Sequence, residues 1–256
     1  MADRISLVTG AASGIGRATA IRLAAAGDTV IVADLNADGG AETVRRIEAA
    51  GGKARFEHLD VADEASVAAL AAKAGPVRNL VNCAGLLQNA ARVEDMDLAQ
   101  HDRIWAVNYR GTYLCCRAWG PLIGEAGGGA IVNIGSIAGK RMFPVPAYSP
   151  SKMAIHGLTA ELAADLGPRG VRVNAIAPGF VLTEAMQANI DAGQRDTSQM
   201  EAQTPLGQLM RPEHIADGIH FLCSDAAAMI TGIVLPIDGG WLAGVTYYSF
   251  PGLKKN

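Results

Sequence analysis

The sequence predicts an α/β fold, a doubly wound parallel sheet with helices on both faces, in a single domain over residues 1–256. Short β-branched runs alternate with amphipathic or alanine-rich stretches. The runs are apolar throughout, as strands are when both faces of a parallel sheet are covered. No shift in composition divides the 256 residues into two domains.

The predicted elements follow one another in regular order. We expect strands at residues 5–9, 29–33, 54–58, 80–82, 130–134 and 171–175. We expect helices near residues 15–26, 41–50, 98–119 and 148–166. Segment 183–210 is polar and weakly periodic, and it is longer than most connections. It is therefore expected to be a substrate lid, with a solvated helical insertion as the alternative.

Composition limits the possible functions. Half of the residues are hydrophobic, 18% are charged, and the formal net charge is -3. Acidic and basic residues are mixed along the chain, which disfavours nucleic acid and anionic membranes as partners. No apolar run is long enough to span a bilayer, and the cysteine and histidine spacings match no metal site. We expect a cytoplasmic protein with no metal, no nucleic-acid partner and no membrane partner.

A glycine-rich turn follows the first predicted strand. Gly10, Gly14 and Gly16 have the spacing G-x-x-x-G-x-G, and a helix is predicted directly after them. Glycines let the backbone come close to a pyrophosphate, and the unpaired N–H groups at a helix start attract its charge. The turn therefore predicts a dinucleotide site in a Rossmann-like fold, although it could also be a plain tight connection.

The second predicted strand leads into Asp34. A carboxylate at this place accepts hydrogen bonds from an adenosine ribose and repels a 2′-phosphate, which favours NAD over NADP. Asp34 could instead cap the following helix. No Lys or Arg closely follows Asp34, and Arg17 is the nearby cation that keeps NADP possible. We expect NAD.

Tyr148 and Lys152 lie four residues apart in a predicted helix and therefore share a face. An ammonium group close to a phenol lowers its pKa, which makes a tyrosine usable as an acid or base near neutral pH. Pro150 between them is acceptable if the helix begins near Tyr148, because first-turn N–H groups have no intrahelical partner.

Ser136 follows the strand at 130–134, at the edge of the sheet where ligands of such folds bind. A nucleophile elbow needs a glycine two residues before the serine, and Ile134 stands there instead. We therefore expect Ser136 to donate a hydrogen bond to a substrate oxygen rather than to attack it.

Taken together, these motifs resemble the short-chain dehydrogenase/reductase family over the chain as far as about Leu242. In order, they are Thr9-Gly10-x-x-x-Gly14-x-Gly16, Asp60-Val61, Asn82-Cys83-Ala84-Gly85, Asn108, Ser136, Tyr148-x-x-x-Lys152 and Pro178-Gly179. Their order and spacing are far more specific than any single motif. Cys83 departs from the family pattern, in which a second asparagine is commoner.

The resemblance implies that Tyr148 is the general acid/base and that Lys152 lowers its pKa and binds the nicotinamide ribose. Ser136 would orient the substrate oxygen. Asn108 would hold a proton-relay water, with an ordinary polar helix residue as the alternative, and Pro178-Gly179 could be a simple turn. The implied cofactor-binding residues are Gly10, Ser13, Gly14, Ile15, Gly16, Asp34, Leu35, Asp60, Val61, Asn82, Ala84, Gly85, Tyr148, Lys152, Pro178, Gly179, Val181 and Thr183.

The family's substrate region varies, so the resemblance leaves the substrate open. Candidate substrate-binding residues are Gln88, Ser136, Ala138, Phe143, Tyr148, Phe180 and Met186, with Leu87 and Met142 as further pocket candidates. Most are apolar, which favours a moderately hydrophobic small-molecule alcohol or ketone. Gln88 could bind a polyol, Lys140 and Arg141 could attract an acidic substrate, and Met142 and Phe143 could be packing residues.

The resemblance thus predicts an oxidoreductase that interconverts a secondary alcohol and a ketone, and Asp34 favours NAD as its cofactor. From the NAD inference and the usual excess of the oxidised cofactor, we expect oxidation as the physiological direction. An NADPH-dependent reductase of carrier-bound 3-oxoacyl groups shares its motifs, and a cofactor-sensing protein without turnover is a further alternative. A homotetramer is also implied, packed through the two long central helices and the C-terminal region. There the aromatic residues Tyr247, Tyr248 and Phe250 could be core, interface or active-site wall.

Overall fold

Seven strands form the central sheet. The computed structural model describes residues 4–193 and 196–247. Within them the strands are β1 (Ile5–Thr9), β2 (Thr29–Asp34), β3 (Lys53–His58), β4 (Asn79–Asn82), β5 (Gly129–Ile134), β6 (Val171–Pro178) and β7 (Val234–Ile237). They pair in the order β3-β2-β1-β4-β5-β6-β7, and every pairing is parallel. The predicted doubly wound parallel sheet is confirmed.

Helices cover both faces of the sheet, as predicted. Over the same residues they are α1 (Gly14–Ala25), α2 (Ala37–Ala49), α3 (Glu64–Ala74), α4 (Leu98–Trp105), α5 (Thr112–Glu125), α6 (Tyr148–Leu166), α7 (Glu184–Asp191), α8 (Ser198–Gln203), α9 (Pro212–Cys223) and α10 (Trp241–Tyr247). None of them is long and apolar enough to cross a membrane.

Two hydrophobic cores lie on opposite faces of the sheet. Successive side chains of a strand point to opposite faces, so Leu7 joins the core under α3, α5 and α6 while Val8 joins the core under α1, α2 and α9. Ile31 and Val30 of β2 divide between the two cores in the same way. This double burial explains why the strands are apolar throughout.

The predicted helix at 98–119 differs from the structure. Ala106–Gly111 forms a π-helix between α4 and α5, and α5 continues to Glu125. Single π-helical turns inside longer helices often occur at functional sites. This one contains Asn108, one of the residues that the sequence singles out.

Strand β7 was not predicted because Pro236 interrupts its short apolar run. Proline lacks a backbone donor and is tolerated at the edge of a sheet, which is where β7 lies. The middle of the strand order shows why the site forms where it does. The chain winds outward in both directions from β1 and β4, so a crevice opens at the carboxyl ends of these two neighbouring strands.

Candidate active site

The glycine turn leads from β1 to α1 in that crevice. Gly10 has a φ of +65°, and a Cβ added to it would lie 2.7 Å from the backbone of Ala84 after β4. A Cβ on Gly16 would collide with the Gly10 carbonyl oxygen. At the start of α1, Ser13 makes no side-chain capping hydrogen bond. First-turn N–H groups without a cap, set beside a tight glycine turn, suit a pyrophosphate.

Asp34 ends β2 at the edge of the crevice. Its Oδ2 accepts a hydrogen bond from Ala12 N at 2.9 Å, and its Oδ1 accepts one from Asn36 N at 2.9 Å. Helix α2 is capped by Asn36, whose side chain accepts from Gly39 N at 3.0 Å, so Asp34 is not the helix cap. Two backbone donors fix the Asp34 carboxylate beside the glycine turn, and a carboxylate retains lone pairs for further donors.

Arg17 is buried on α1, and each nitrogen of its guanidinium has a partner in the protein. Nη2 donates to the Ala12 carbonyl oxygen, Nε donates to Thr43 Oγ1 at 3.1 Å, and Nη1 pairs with Glu184 Oε1 at 2.5 Å. The cation that kept NADP possible in the sequence is therefore bonded to the glycine turn, to α2 and to α7.

The other residues predicted to bind the adenosine side of the cofactor or to flank it lie around the crevice at different depths. Leu35 is 47% exposed, whereas Val61 is buried. Asp60 Oδ1 accepts from Ala62 N at 2.9 Å, which fixes the turn after β3. Asn82 is directed into the interior, where Nδ2 donates to Asn133 Oδ1 at 2.9 Å. Its side chain therefore joins β4 to β5.

The catalytic candidates meet at the carboxyl ends of β4 and β5. Helix α6 begins at Tyr148, so Pro150 falls in its first turn, as the sequence required. Lys152 Nζ donates to the Ile134 carbonyl oxygen at 2.7 Å and lies 5.6 Å from the centre of the Tyr148 ring. Burial lowers the pKa of Lys152 to about 8. Its ammonium group is thus held in place and can lose its proton at mildly alkaline pH.

The phenol of Tyr148 does not show the lowered pKa that the sequence led us to expect. Burial raises the pKa of Tyr148, and its hydrogen bond with Ser136 opposes this rise. Ser136 is buried, and its Oγ also accepts from Ala138 N at 3.0 Å. The protein residues by themselves keep the phenol protonated, because desolvation disfavours the phenolate more than Ser136 stabilises it.

Asn108 adjoins the same group. A Cβ added to Gly85 would lie 3.4 Å from Asn108 Oδ1 and 3.6 Å from Lys152 Nζ, so both polar atoms lie next to this glycine. Asn108 Oδ1 accepts from Leu86 N at 2.7 Å, and Nδ2 donates to Leu86 O at 3.0 Å. The backbone carbonyl oxygen of Asn108 accepts from Thr112 Oγ1 at 2.8 Å. The side chain therefore fixes the loop that follows β4.

A cavity of about 530 Å³ opens above Tyr148 and Ser136. All seven predicted substrate-binding residues line it, together with Leu87 and the predicted cofactor-binding residues Ile15, Pro178, Gly179, Val181 and Thr183. None of the described lining residues is Asp, Glu, Lys or Arg. Met142 is exposed, and it, Lys140 and Arg141 are not part of the lining. A predominantly apolar, uncharged cavity therefore adjoins the acid/base candidate.

Sequence reasoning missed several residues at the cavity. Trp241 stacks on Phe143 at 5.2 Å between ring centres and contacts Phe180 edge-on at 5.8 Å. Asn189 and Met200 line the cavity from the segment at 183–210. Only the polar, methionine-containing composition of that segment hinted at them. Nothing in the sequence pattern links Trp241 to two phenylalanines far away in the chain.

Thr183 connects the two halves of the site. It caps α7 by accepting from Met186 N at 3.3 Å, and its Cγ2 would lie 3.4 Å from a Cβ added to Gly14.

Of the described residues, no group of three or more His, Cys, Asp or Glu could hold a metal ion. The glycine turn, the fixed carboxylate of Asp34 and the uncapped start of α1 together fit a dinucleotide.

Comparison with known proteins identifies the family. A family model described as enoyl-(acyl carrier protein) reductase matches residues 10–242. This chain belongs to the short-chain dehydrogenase/reductase family. The predicted family is thereby confirmed, and nicotinamide cofactors are those that the family uses.

Individual relatives match almost the whole chain. Cis-4-hydroxycyclohexanecarboxylate dehydrogenase from Sinomonas cyclohexanicum is 40% identical over 247 residues, 94% of this chain and 98% of the relative. D-threitol dehydrogenase from Mycolicibacterium smegmatis is 42% identical over 243 residues, 93% of this chain and 92% of the relative. A solved structure from Agrobacterium tumefaciens, described as a candidate 2-deoxy-D-gluconate 3-dehydrogenase with bound NADP, is 34% identical. Its TM-score is 0.85, with 94% of this chain and 96% of that chain covered.

Proposed function

We propose that this protein is an NAD-dependent dehydrogenase that interconverts an uncharged secondary alcohol and the corresponding ketone. The observation that carries the proposal is the position of Tyr148. Tyr148 and Ser136 line the same uncharged cavity, where Ser136 opposes the rise in the pKa of the phenol, and Lys152 Nζ lies 5.6 Å from the centre of the Tyr148 ring. The substrates named in the two dehydrogenase relatives, a hydroxycyclohexanecarboxylate and the polyol D-threitol, support a small alcohol, whereas the uncharged lining of the cavity is what supports an uncharged one.

In this proposal Tyr148 accepts the hydroxyl proton of the alcohol, or returns it to the ketone oxygen in the reverse direction. Ser136 donates a hydrogen bond to the same oxygen and orients it. Lys152, fixed on the Ile134 carbonyl, stabilises the phenolate by its charge. When bound, a nicotinamide dinucleotide accepts or supplies the hydride. Its pyrophosphate would be held by the turn from Gly10 to Gly16, and its nicotinamide end by Pro178, Gly179, Val181 and Thr183.

Two contacts support NAD as the preferred cofactor. The Asp34 carboxylate is fixed by Ala12 N and Asn36 N where it would accept the ribose hydroxyls and repel a 2′-phosphate. Arg17, which could have neutralised that phosphate, is engaged by Ala12, Thr43 and Glu184. The related structure from A. tumefaciens holds NADP, so rates with NADH and NADPH must be compared directly. A strong preference for NADPH would overturn this part of the proposal.

The cavity supports an apolar, uncharged substrate. Phe143 and Phe180, backed by Trp241, form one wall, and the polar groups of the described lining are neutral. A substrate carboxylate or phosphate would lack a cationic partner there, and an unpaired buried charge is costly. We take oxidation as the physiological direction, since NAD in cells is mainly oxidised. Net reduction at cellular cofactor ratios would refute that direction.

Segment 183–210 is proposed to act as a lid. Its two ends are joined where Leu182 N donates to Met210 O at 2.7 Å and Met210 N donates to Phe180 O at 2.9 Å. Between these ends, Met186, Asn189 and Met200 line the cavity. Between these ends the described residues, 184–193 and 196–209, form α7 and α8 and no strand, and a segment joined to the sheet at its base alone suits closure over a bound substrate.

The decisive test is a screen of secondary alcohols and ketones against both cofactors, followed by nicotinamide absorbance. We expect turnover of small cyclic or branched alcohols with NAD. The variant Tyr148→Phe should bind the cofactor normally and lose at least about 100-fold in kcat, because it lacks the transferable proton. Tyr113→Phe, on an exposed face of α5, is the matched control and should retain full activity. Unimpaired turnover by Tyr148→Phe would refute the acid/base assignment.

The same experiments separate the alternatives. A reductase of carrier-bound 3-oxoacyl groups would reduce a 3-oxoacyl thioester with NADPH in preference to any free ketone. A cofactor-sensing protein would bind the cofactor and turn over nothing. Tyr148 and Lys152 are both present and close together, which favours catalysis.

We also propose association into a homotetramer through the central helices. Leu98 of α4 and Met153 of α6 are 75% and 50% exposed on the single chain, which supports burial of these helices against another copy. Sedimentation of the purified protein tests this directly, and a monomer at micromolar concentration would refute it. Tyr248 and Phe250, which could contribute to the interface, lie outside the described residues.

A further inference from the structure

Gln88 lies in the loop between β4 and the short 3₁₀ helix at Val93–Asp95, and it lines the cavity beside Tyr148. The sequence suggested that its amide could bind a polyol. In the structure its Oε1 accepts hydrogen bonds from two backbone groups, Ala147 N at 3.0 Å and Tyr148 N at 2.9 Å. Gln88 therefore bonds to the start of the catalytic helix.

These two bonds complete the hydrogen bonding at the start of α6. The first N–H groups of a helix have no intrahelical partner, and the N-cap residue Ala147 has no side chain that could supply one. Ser149 N donates to Val145 O at 3.0 Å, Pro150 has no N–H, and Ser151 N donates to Ala147 O at 3.2 Å. The N–H groups of Ala147 and Tyr148 remain, and Gln88 accepts both.

The backbone on either side of Gln88 holds it in place, and its Nε2 separately donates to Met96 Sδ at 3.0 Å. Before it, Leu86 is bonded at both backbone groups by Asn108, and after it, Ala91 N donates to Pro144 O at 2.8 Å. Since both helix groups are donors, the oxygen of the side-chain amide must face α6, so the orientation of the amide is determined.

We propose that Gln88 is a positioning residue for Tyr148, acting as an N-terminal cap supplied to α6 from the loop after β4. The inference rests on the proposed function, in which Tyr148 transfers the proton. Tyr148 is the first residue of α6, where a helix frays most readily. A fixed backbone at that residue holds the phenol against Ser136, and small misplacements of a reacting group are costly in rate. Gln88 itself touches no reacting atom in this proposal.

The experiment compares three variants in the full-length protein. Gln88→Met keeps the length of the side chain and removes the acceptor. Gln88→Glu keeps an acceptor oxygen, and its charge is favourable at a helix N-terminus. Met96→Leu removes only the partner of Gln88 Nε2 and leaves the cap intact. For each we would measure kcat, KM for the alcohol, cofactor Kd and the pH profile of kcat/KM.

We expect Gln88→Met to lose about 10- to 100-fold in kcat, with KM and cofactor Kd changed by less than about threefold. Gln88→Glu should regain most of the lost kcat at its own optimum. Its pH profile should move to higher pH, because a carboxylate close to Tyr148 raises the pKa of the phenol. Met96→Leu should stay within about twofold of the wild type.

Two results would overturn the proposal. If Gln88→Met raised KM for the alcohol and left kcat intact, Gln88 would be a substrate contact. If Gln88→Glu were folded and bound cofactor but did not recover kcat, the acceptor oxygen would not be what positions Tyr148. If Gln88→Met lost kcat only because it folds less stably, Gln88→Glu would not combine a recovered kcat with a pH profile shifted to higher pH.

A second readout does not depend on turnover. Hydrogen exchange of the peptide that spans Ala147 and Tyr148 should be faster in Gln88→Met and close to wild type in Gln88→Glu and Met96→Leu. Unchanged exchange in Gln88→Met would also overturn the proposal. If the wild-type protein oxidised no alcohol, the proposed function would fail, while exchange would still decide whether Gln88 caps α6.

Discussion

His156 should make the folded protein sensitive to acid. The residue lies one helical turn after Lys152 on α6 and packs beneath the loop that carries Ser136. A Cβ added to Gly135 would collide with the ring, and one added to Gly139 would lie 2.6 Å from its Cε1. Its Nε2 is buried without a hydrogen-bond partner among the described residues. Burial, with the charges of Lys140 and Lys152 as lesser causes, lowers the pKa of His156 from 6.5 to about 4.

The sign of the effect follows from this depressed pKa. The unfolded chain takes up the proton at pH 6.5, whereas the folded chain resists it until about pH 4. The contribution of His156 to the free energy of unfolding is therefore fully present above pH 6.5, and it decreases as the pH falls toward 4. One pKa unit is worth about 1.4 kcal/mol, so roughly 2 kcal/mol would be lost between pH 7 and pH 5. Because the ring is only partly buried, solvent screening reduces the expected loss to about 1 to 2 kcal/mol.

The assay is urea denaturation of the wild type and of His156→Leu at pH 7 and pH 5, followed by tryptophan fluorescence. Other titrating groups affect both proteins equally, so the difference between the two pH-dependent losses isolates His156. His58→Gln, at an exposed position on β3, controls for the removal of a histidine. If wild type and His156→Leu lost the same stability to within about 0.5 kcal/mol, the account of the buried ring would be refuted.

Two further predictions concern activity. Because burial lowers the pKa of Lys152 to about 8, and because the charge of Lys152 stabilises the Tyr148 phenolate, kcat/KM for the alcohol should fall as the pH rises above about 8. Lys152→Arg, measured in the same way, should move that inflection upward; an unmoved inflection would assign it to another group. Glu184→Gln should raise the cofactor Kd by up to about fivefold, because its partly exposed ion pair with Arg17 connects α7 to α1. Fluorescence titration would measure this beside the control Glu161→Gln on α6, and equal Kd values would show that the pair does not support the cofactor site.

The parts of the molecule that follow from local pattern were predictable. Leu7 and Val8 must be buried on opposite faces of β1, so its apolar run required a sheet covered on both sides. The crevice followed in turn, because the glycine turn and the Asn82-Cys83-Ala84-Gly85 motif each come after a parallel strand. Tyr148 and Lys152 could be paired because four residues bring two side chains to one face of a helix.

What escaped prediction depends on distant parts of the chain or on how a loop folds. Trp241 meets Phe143 only because β7 brings the chain back to the cavity. The role of Gln88 depends on the course of a loop without periodic pattern, and a single amide can equally face a substrate or a helix end. The raised pKa of Tyr148 was missed for a different reason: the sequence shows which charge lies near the phenol but does not show how strongly burial opposes it.

Helix α6 gives these features a common physical basis. Tyr148 and Lys152 occupy its first two turns, and His156 on the next turn packs against the glycines that flank Ser136. The loop after β4 bonds to the same helix through Gln88, and Asn108 of the π-helix reaches Ser151 at 3.4 Å. Each of these contacts fixes a neighbouring loop relative to the first two turns of one helix. A phenol whose own burial resists ionisation depends on such fixed neighbours, because Ser136 and Lys152 can stabilise its charge only at short and constant distances.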